Sequence, residues 1–89
     1  MAQKKWNISV IPGDGIGKEV VPEGLLVLEA VQKRFKHEFA FTTYDFASAE
    51  YYLEHGKMLP DDWKAKLGDS DAIFFGAVGC PEIVPDHIS

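Results

Sequence analysis

A glycine-rich segment near the N-terminus, Ile-Pro-Gly-Asp-Gly-Ile-Gly-Lys at residues 11–18, is the first candidate for chemistry in this sequence. Its three glycines, Gly13, Gly15 and Gly17, are costly in conformational entropy, and they lie where a predicted strand ends and a predicted helix begins. One explanation is a tight turn that brings the backbone close to a phosphate at a helix N-terminus. The other is a strand-to-helix turn with a purely structural role, and the residues alone leave both open.

Two common phosphate-binding motifs are excluded in this segment. A dinucleotide fingerprint, G-x-G-x-x-G, that starts at Gly13 needs glycine where the sequence has Lys18. A Walker A loop that ends at Gly17 and Lys18 needs a glycine at the position of Pro12, and Ser or Thr at the position of Glu19. A ligand bound by this turn is therefore held in another way.

The histidines and acidic residues form no complete catalytic group. Adjacent acids at Asp61 and Asp62 would point in different directions on a helix, and acids at a helix start explain them. An acid–histidine pair at Asp86 and His87 falls in the last loop, where both a structural and a functional role stay open. All three histidines lie on separate predicted elements without metal-ligand spacing, and we expect each to be solvated or hydrogen-bonded: His37, His55 and His87.

The elements that must position the glycine turn follow the order β-α-β-α-α-β. The apolar and polar periodicity predicts strands at residues 6–12, 37–46 and within 70–79, and helices at 18–35, 47–57 and 59–68. Pro22 fits a first helix that begins near Val21, or one that begins near Lys18 with an early kink. The run at residues 72–75 is typical of a parallel strand buried on both faces.

This alternation of strands and helices predicts an α/β fold with a parallel sheet. Ligands of such sheets bind beyond the carboxyl ends of the strands. Both glycine-containing turns, at residues 13–17 and 76–79, follow a strand and so belong to that edge. The least regular backbone of the chain is therefore predicted where a ligand would bind.

The composition fits one small globular domain. The 89 residues are 46% hydrophobic and 26% charged, and a net charge of −5 with interspersed signs argues against a nucleic-acid partner. No apolar run is long enough for a membrane span or a signal peptide. A single cysteine, Cys80, fits a reducing compartment. We expect a soluble, cytoplasmic protein that binds neither nucleic acid nor membranes.

Two segments together, IPGDGIGKEV at residues 11–20 and FFGAVGCP at residues 74–81, make the chain resemble the β-decarboxylating dehydrogenases: the isocitrate, isopropylmalate, tartrate and D-malate enzymes. Within that family, residues 50–63 and 84–89 are similar to the tartrate and D-malate branch. The resemblance covers the chain from Ile8 to Ser89. It favours a ligand-binding role for the glycine turn.

The resemblance implies NAD-dependent oxidation and decarboxylation of a small 2-hydroxy dicarboxylate, tartrate or D-malate. It also implies a divalent Mg or Mn, which acts as a Lewis acid on the substrate oxygens. By the same resemblance, Ile16 packs against the adenine end of the cofactor, and Ala77, Val78 and Gly79 begin the loop that passes the nicotinamide. The catalytic and metal-binding residues of the family match positions beyond Ser89.

The expected fold is accordingly the N-terminal part of an isopropylmalate-dehydrogenase-like fold, with residues 1–89 in its large α/β domain. The full-length protein is expected to be a homodimer. A small parallel sheet would leave strand edges and apolar faces open, which disfavours an isolated monomer. The alternative is an isolated nucleotide-binding or assembly module without catalysis.

Overall fold

Apolar runs separated by glycine and proline divide the chain into six elements, in the order predicted from the sequence. The computed structural model describes residues 5–85 and 87–88. Its elements are strand β1 (Lys5–Gly13), helix α1 (Ile16–Phe35), strand β2 (Glu38–Thr43), helix α2 (Ala49–His55), helix α3 (Trp63–Gly68) and strand β3 (Ala72–Ala77). The predicted α/β class and element order are confirmed.

The three strands form one parallel sheet in the order β2-β1-β3. In the centre, Ile8 of β1 is in register with Phe41 of β2 on one side and with Ala72 of β3 on the other. Because all three strands run the same way, their carboxyl ends share one edge of the sheet. The turn after β1 and the loop after β3 are therefore neighbours.

Two hydrophobic clusters hold the helices to this sheet. Val10 and Ile11 are consecutive in β1, so their side chains point to opposite faces. Val10 is fully buried with Ile8 and with Val21 of α1. Ile11 is buried on the other face with a second cluster: Phe46, Ala47 and Tyr51. Full burial of an aliphatic side chain stabilises the fold by about 1.5–3 kcal/mol. Because β1 contributes buried side chains to both clusters, it is the centre of the core.

Helix α1 begins earlier than either predicted start. It begins at Ile16, and Pro22 lies inside it. The N–H of Gly17 donates to the carbonyl oxygen of Asp14 at 2.8 Å, so the preceding turn already fixes the helix start. A proline lacks an N–H, so Pro22 removes one helical hydrogen bond without displacing that start.

Strand β3 is not buried on both faces, and this prediction was wrong. Phe74 packs against the α1 side of the sheet, whereas Ile73 is 49% exposed and Phe75 is 51% exposed. β3 is an edge strand in the described part of the chain, and α1 packs on only one of its faces. An apolar run is compatible with either environment, and the neighbouring elements decide which one it has.

Strand β2 and helices α2 and α3 are shorter than predicted, whereas β1 extends one residue farther at each end. Strand β2 ends at Thr43, after which the chain turns to place Phe46 in the core. Helix α2 is capped by Ser48 and ends at His55, and Gly56 follows as its C-cap with φ 73°. Helix α3 begins only at Trp63. No helix within residues 5–85 and 87–88 has the length and apolar character that crossing a bilayer requires.

Candidate functional site at the carboxyl edge of the sheet

The glycine turn after β1 lies against the backbone at the end of β3. An ideal Cβ atom on Gly13 would lie 2.8 Å from the carbonyl carbon of Ala77, and one on Gly17 would overlap the carbonyl oxygen of Pro12. Gly15 differs, because no described atom beyond its chain neighbours lies within 4 Å of its Cβ position, although its φ of 45° is positive like that of Gly13. Two of the three glycines therefore permit close chain packing, and Gly15 borders open space.

Asp14 connects three segments at this edge. Its backbone N–H donates to the carbonyl oxygen of Ala77 at 2.6 Å. The carboxylate accepts two backbone N–H groups, from Ala49 at 2.7 Å on Oδ1 and from Gly79 at 3.1 Å on Oδ2. Asp14 is only 8% exposed. The turn after β1, the first residue of α2 and the loop after β3 are thus held by one side chain.

Sequence reasoning did not single out Asp14. The available signal was an aspartate between two glycines at a strand-to-helix turn, a setting in which carboxylates often accept backbone N–H groups. The partners themselves carried no signal, because they lie 35 and 65 residues away along the chain.

The predicted cofactor neighbours border the same edge. Ile16 is the first residue of α1 and is 63% exposed. Ala77 ends β3, and its backbone meets Asp14. Gly79 is exposed with φ 140°, and no described atom outside its chain neighbours lies within 4 Å of its Cβ position. The backbone is therefore accessible beside Gly79, and an apolar side chain stands free at Ile16.

Val78 is placed differently from its neighbours. Its side chain packs against the cluster that contains Ile11 and Tyr51. The Val78 Cγ2 atom would lie 3.1 Å from a Cβ on Gly13. This side chain therefore helps to fix the loop against the core.

A cavity of about 720 Å³ opens next to the turn, between α1 and α2. Gly13 lines it, and so does Lys18, whose Nζ forms an ion pair with Glu50 of α2. Apolar and aromatic residues line part of the rest: Val10, Pro12, Val21, Pro22, Leu25, Tyr44, Phe46 and Tyr51. Polar and charged residues line the remainder: Thr43, Asp45, Ser48, Glu54 and Lys66. The described lining includes the start of the turn but neither Ile16 nor the loop after β3, so the cavity and the predicted cofactor neighbours are separate.

The histidines are dispersed, as predicted. His55 is exposed, with Nε2 3.9 Å from Glu54, and His87 is exposed in the last loop. His37 departs from the expectation, because its Nδ1 atom is buried without a hydrogen-bond partner among the described residues. Asp86, the predicted partner of His87, lies outside the described residues.

The acidic residues at the predicted start of α3 form surface pairs. Asp61 accepts a hydrogen bond from the Lys57 ammonium at 2.8 Å, which lowers the pKa of the Asp61 carboxyl and raises the pKa of Lys57. Across residues 5–85 and 87–88, no three His, Cys, Asp or Glu side chains are grouped so that they could bind a metal ion.

With this geometry established, comparison with known proteins identifies relatives. The family model for isocitrate/isopropylmalate dehydrogenase matches residues 7–89. D-malate dehydrogenase [decarboxylating] of Escherichia coli (strain K12) is 57% identical over 86 residues, which covers 97% of this chain and 24% of that protein. Tartrate dehydrogenase/decarboxylase of Pseudomonas putida is 54% identical over 89 residues, which covers 100% of this chain and 24% of that protein.

A solved structure agrees with the fold. The crystal structure of a β-decarboxylating dehydrogenase from Thermococcus kodakarensis, in its apo form, superposes with a TM-score of 0.72 at 34% identity. The superposition covers 90% of this chain and 23% of that one. The chain thus spans about a quarter of the length of the relatives it matches, and the predicted isopropylmalate-dehydrogenase-like fold is confirmed.

Proposed function

Because the chain belongs to the isocitrate/isopropylmalate dehydrogenase family, we propose that it forms the N-terminal portion of the large domain of an NAD-dependent dehydrogenase that oxidises and decarboxylates D-malate or tartrate. The observation that carries this proposal is the identity of 57% and 54% to a D-malate and a tartrate dehydrogenase along nearly the whole chain. The activity belongs to a subunit of the length of these relatives.

The proposed reaction is an oxidation at C2 followed by a decarboxylation. The bond from C2 to hydrogen breaks, the hydroxyl group loses its proton to a base, and C2 becomes a carbonyl carbon. The carboxylate on the carbon next to that carbonyl then leaves as CO₂, and its bonding electron pair forms an enolate with the carbonyl group. Protonation of that carbon gives the 2-oxo acid. NAD, when bound, supplies the acceptor for the hydride.

The role proposed for this chain is to bind and orient the dinucleotide. The exposed Ile16 side chain offers an apolar surface for the adenine end. Gly15 and Gly79 leave the backbone open on either side of Asp14, which suits a ligand that approaches the main chain closely. Ala77 and Val78 form the start of the loop that would pass the nicotinamide.

The divalent ion is proposed to be held elsewhere. On the family resemblance, Mg or Mn would be bound by residues of the full-length subunit beyond Ser89. A homodimer and a cytoplasmic location are proposed on the same family grounds, and they stay predictions.

The test of this function is a substrate panel on the full-length subunit. We expect NADH formation from D-malate or tartrate with Mn²⁺ present and little formation after chelation. NADH formation from isopropylmalate but from neither D-malate nor tartrate would contradict the proposed substrate class. Saturable NAD binding without turnover of any substrate would favour a nucleotide-binding module.

The cofactor assignment is tested by a matched pair of variants in α1. Ile16→Ala removes the apolar surface beside the turn, and we expect it to raise KM for NAD roughly tenfold, the size of a lost aliphatic contact. Leu26→Ala is the control, because Leu26 is also an exposed aliphatic side chain of α1 but lies nearly three turns farther along. A KM for NAD that is no higher in Ile16→Ala than in Leu26→Ala would contradict a contact between Ile16 and the cofactor.

A further inference from the structure

We propose that the Asp14 carboxylate is a positioning residue that holds the loop after β3 in the conformation that binds the dinucleotide. The inference rests on the proposed function, because it takes the segment from Ala77 to Gly79 as the cofactor loop. It goes beyond that function by assigning the position of the Gly79 backbone to one buried side chain in the turn after β1, in addition to the packing of Val78.

The sheet alone does not fix this loop. The last pair in the β1–β3 register is Gly13 with Ala77, so Gly79 lies two residues beyond the ladder. Its φ of 140° is a conformation that glycine adopts readily and other residues rarely. The hydrogen bond from the Gly79 N–H to Asp14 Oδ2, at 3.1 Å, connects this part of the loop to the turn after β1.

The second carboxylate oxygen makes Asp14 a rigid anchor. Oδ1 accepts the N–H of Ala49 at 2.7 Å, so the side chain is held from the α2 side while it binds Gly79 on the other. Ala49 itself follows Ser48, the capping residue of α2, and is buried. A side chain fixed at both oxygens and buried from solvent cannot swing away from the loop without breaking two hydrogen bonds.

Aspartate is the side chain that this arrangement requires. An ionised carboxylate offers acceptors on both oxygens, whereas an asparagine offers one acceptor and one donor. In Asp14→Asn, one of the two backbone N–H groups, that of Ala49 or that of Gly79, would face an NH₂ group and lose its partner. An unmet buried donor is unfavourable, so the side chain would bind only one of the two segments and would no longer tie the loop to the start of α2.

A matched control separates positioning from general stability. Asp71 also accepts a backbone N–H across the sheet, from Asn7 to Oδ2 at 2.7 Å, but it lies at the opposite, amino-terminal end of β3. Asp71→Ala removes the acceptor of that bond, away from the proposed site.

The experiment measures NAD affinity and amide exchange in the full-length protein, at a temperature where all variants are folded. In Asp14→Asn we expect the Kd for NAD to rise about tenfold, and the Gly79 or Ala49 amide to exchange about tenfold faster, as the loss of a charge-assisted bond implies. In Asp71→Ala we expect lower thermal stability, because the Asn7 N–H loses its acceptor, with an unchanged Kd for NAD.

The outcomes separate this inference from the proposed function. An unchanged NAD affinity in folded Asp14→Asn, with a lower Tm only, would overturn the positioning role and leave the dehydrogenase proposal intact. Wild-type protein that binds no NAD, although its Gly79 amide is protected through Asp14, would overturn the proposed function and with it the cofactor part of the inference. Unchanged exchange at both amides would overturn the anchor itself.

Discussion

Gly17, in the first turn of α1, rests directly on the backbone of Ala77 at the end of β3. An ideal Cβ atom on Gly17 would lie 2.6 Å from the Ala77 nitrogen, closer than side-chain carbons approach a backbone. The helix start and the strand end can therefore meet only if residue 17 has no side chain. This contact places the start of α1 beside the loop that follows β3.

Gly17→Ala should lower the free energy of unfolding by about 2–3 kcal/mol, because both overlapping groups belong to the backbone and cannot rotate away. Its control is Gly68→Ala at the end of α3, where no described atom outside the local chain lies within 4 Å of the Cβ position. There alanine should be neutral or stabilise by up to about 1 kcal/mol through helix propensity. Urea denaturation of both variants checks this. Similar stabilities would contradict the close contact at Gly17.

Val21→Ala and Val27→Ala remove the same two methyl groups from one helix at different depths. Val21 is 2% exposed and packs on β1, so we expect a loss of about 2 kcal/mol from transfer and cavity formation. Val27 is 62% exposed, so its substitution should change stability by less than about 0.5 kcal/mol. Thermal and urea denaturation measure both. An equal loss in both variants of the full-length protein would mean that another part of the subunit covers the Val27 face.

Ser48→Ala should destabilise helix α2 at its N-terminus. The Ser48 Oγ accepts the Tyr51 N–H at 3.0 Å and donates to the Asp45 carbonyl oxygen at 2.9 Å, and the residue is buried. Loss of such a cap costs about 1 kcal/mol. Amide exchange gives the local readout: the Tyr51 N–H should exchange faster in the variant. Unchanged protection at Tyr51 would show that the cap does not hold the helix.

The surface pair of Lys57 and Asp61 predicts two small effects of pH. The pKa of Asp61 is held below its ordinary 3.8 by the hydrogen bond from Lys57, so its stabilisation is present at neutral pH and is lost as the pH falls through the lowered value. The pKa of Lys57 is raised above 10.5 by the same bond, so that contribution is lost only as the pH rises through the raised value.

An NMR titration of the Asp61 carboxyl carbon checks the pair. In Lys57→Gln its pKa should return toward the ordinary value, while Lys33→Gln, a charge change in the last turn of α1, should leave it unchanged. Identical titration curves in wild type and Lys57→Gln would contradict the ion pair. Because both side chains are exposed at the surface, high salt should also weaken the shift in the pKa of Asp61.

The element order was predictable because it depends on local patterns. Local signals mark the strands and helices along the chain. Pro12 closes the first apolar run, Gly56 follows the second helical pattern, and glycines follow the apolar run at residues 72–75. The exposure of Ile73 and Phe75 was not predictable, since a buried and an edge strand can share one apolar run. The burial of a strand is decided by the elements packed around it.

The candidate site was also predictable only in part. The glycine turn and its edge of the sheet followed from the position of the strands, but the partners of Asp14 depend on segments 35 and 65 residues distant, which no local pattern specifies. The assignments of Ile16 and of residues 77–79 came from family resemblance, and they stay predictions that the NAD measurements address.

The central position of β1 has a consequence for the order in which the chain can fold. β1 pairs with β2 across roughly half the sequence distance that separates it from β3, where the link from Asn7 to Asp71 spans 64 residues. Closing the longer loop costs more chain entropy, by about 0.6 kcal/mol for each doubling of length. During synthesis β1 and β2 leave the ribosome before β3, so they can associate first. The turn around Asp14 is therefore expected to be completed last, when the chain beyond β3 emerges and supplies its final hydrogen bond.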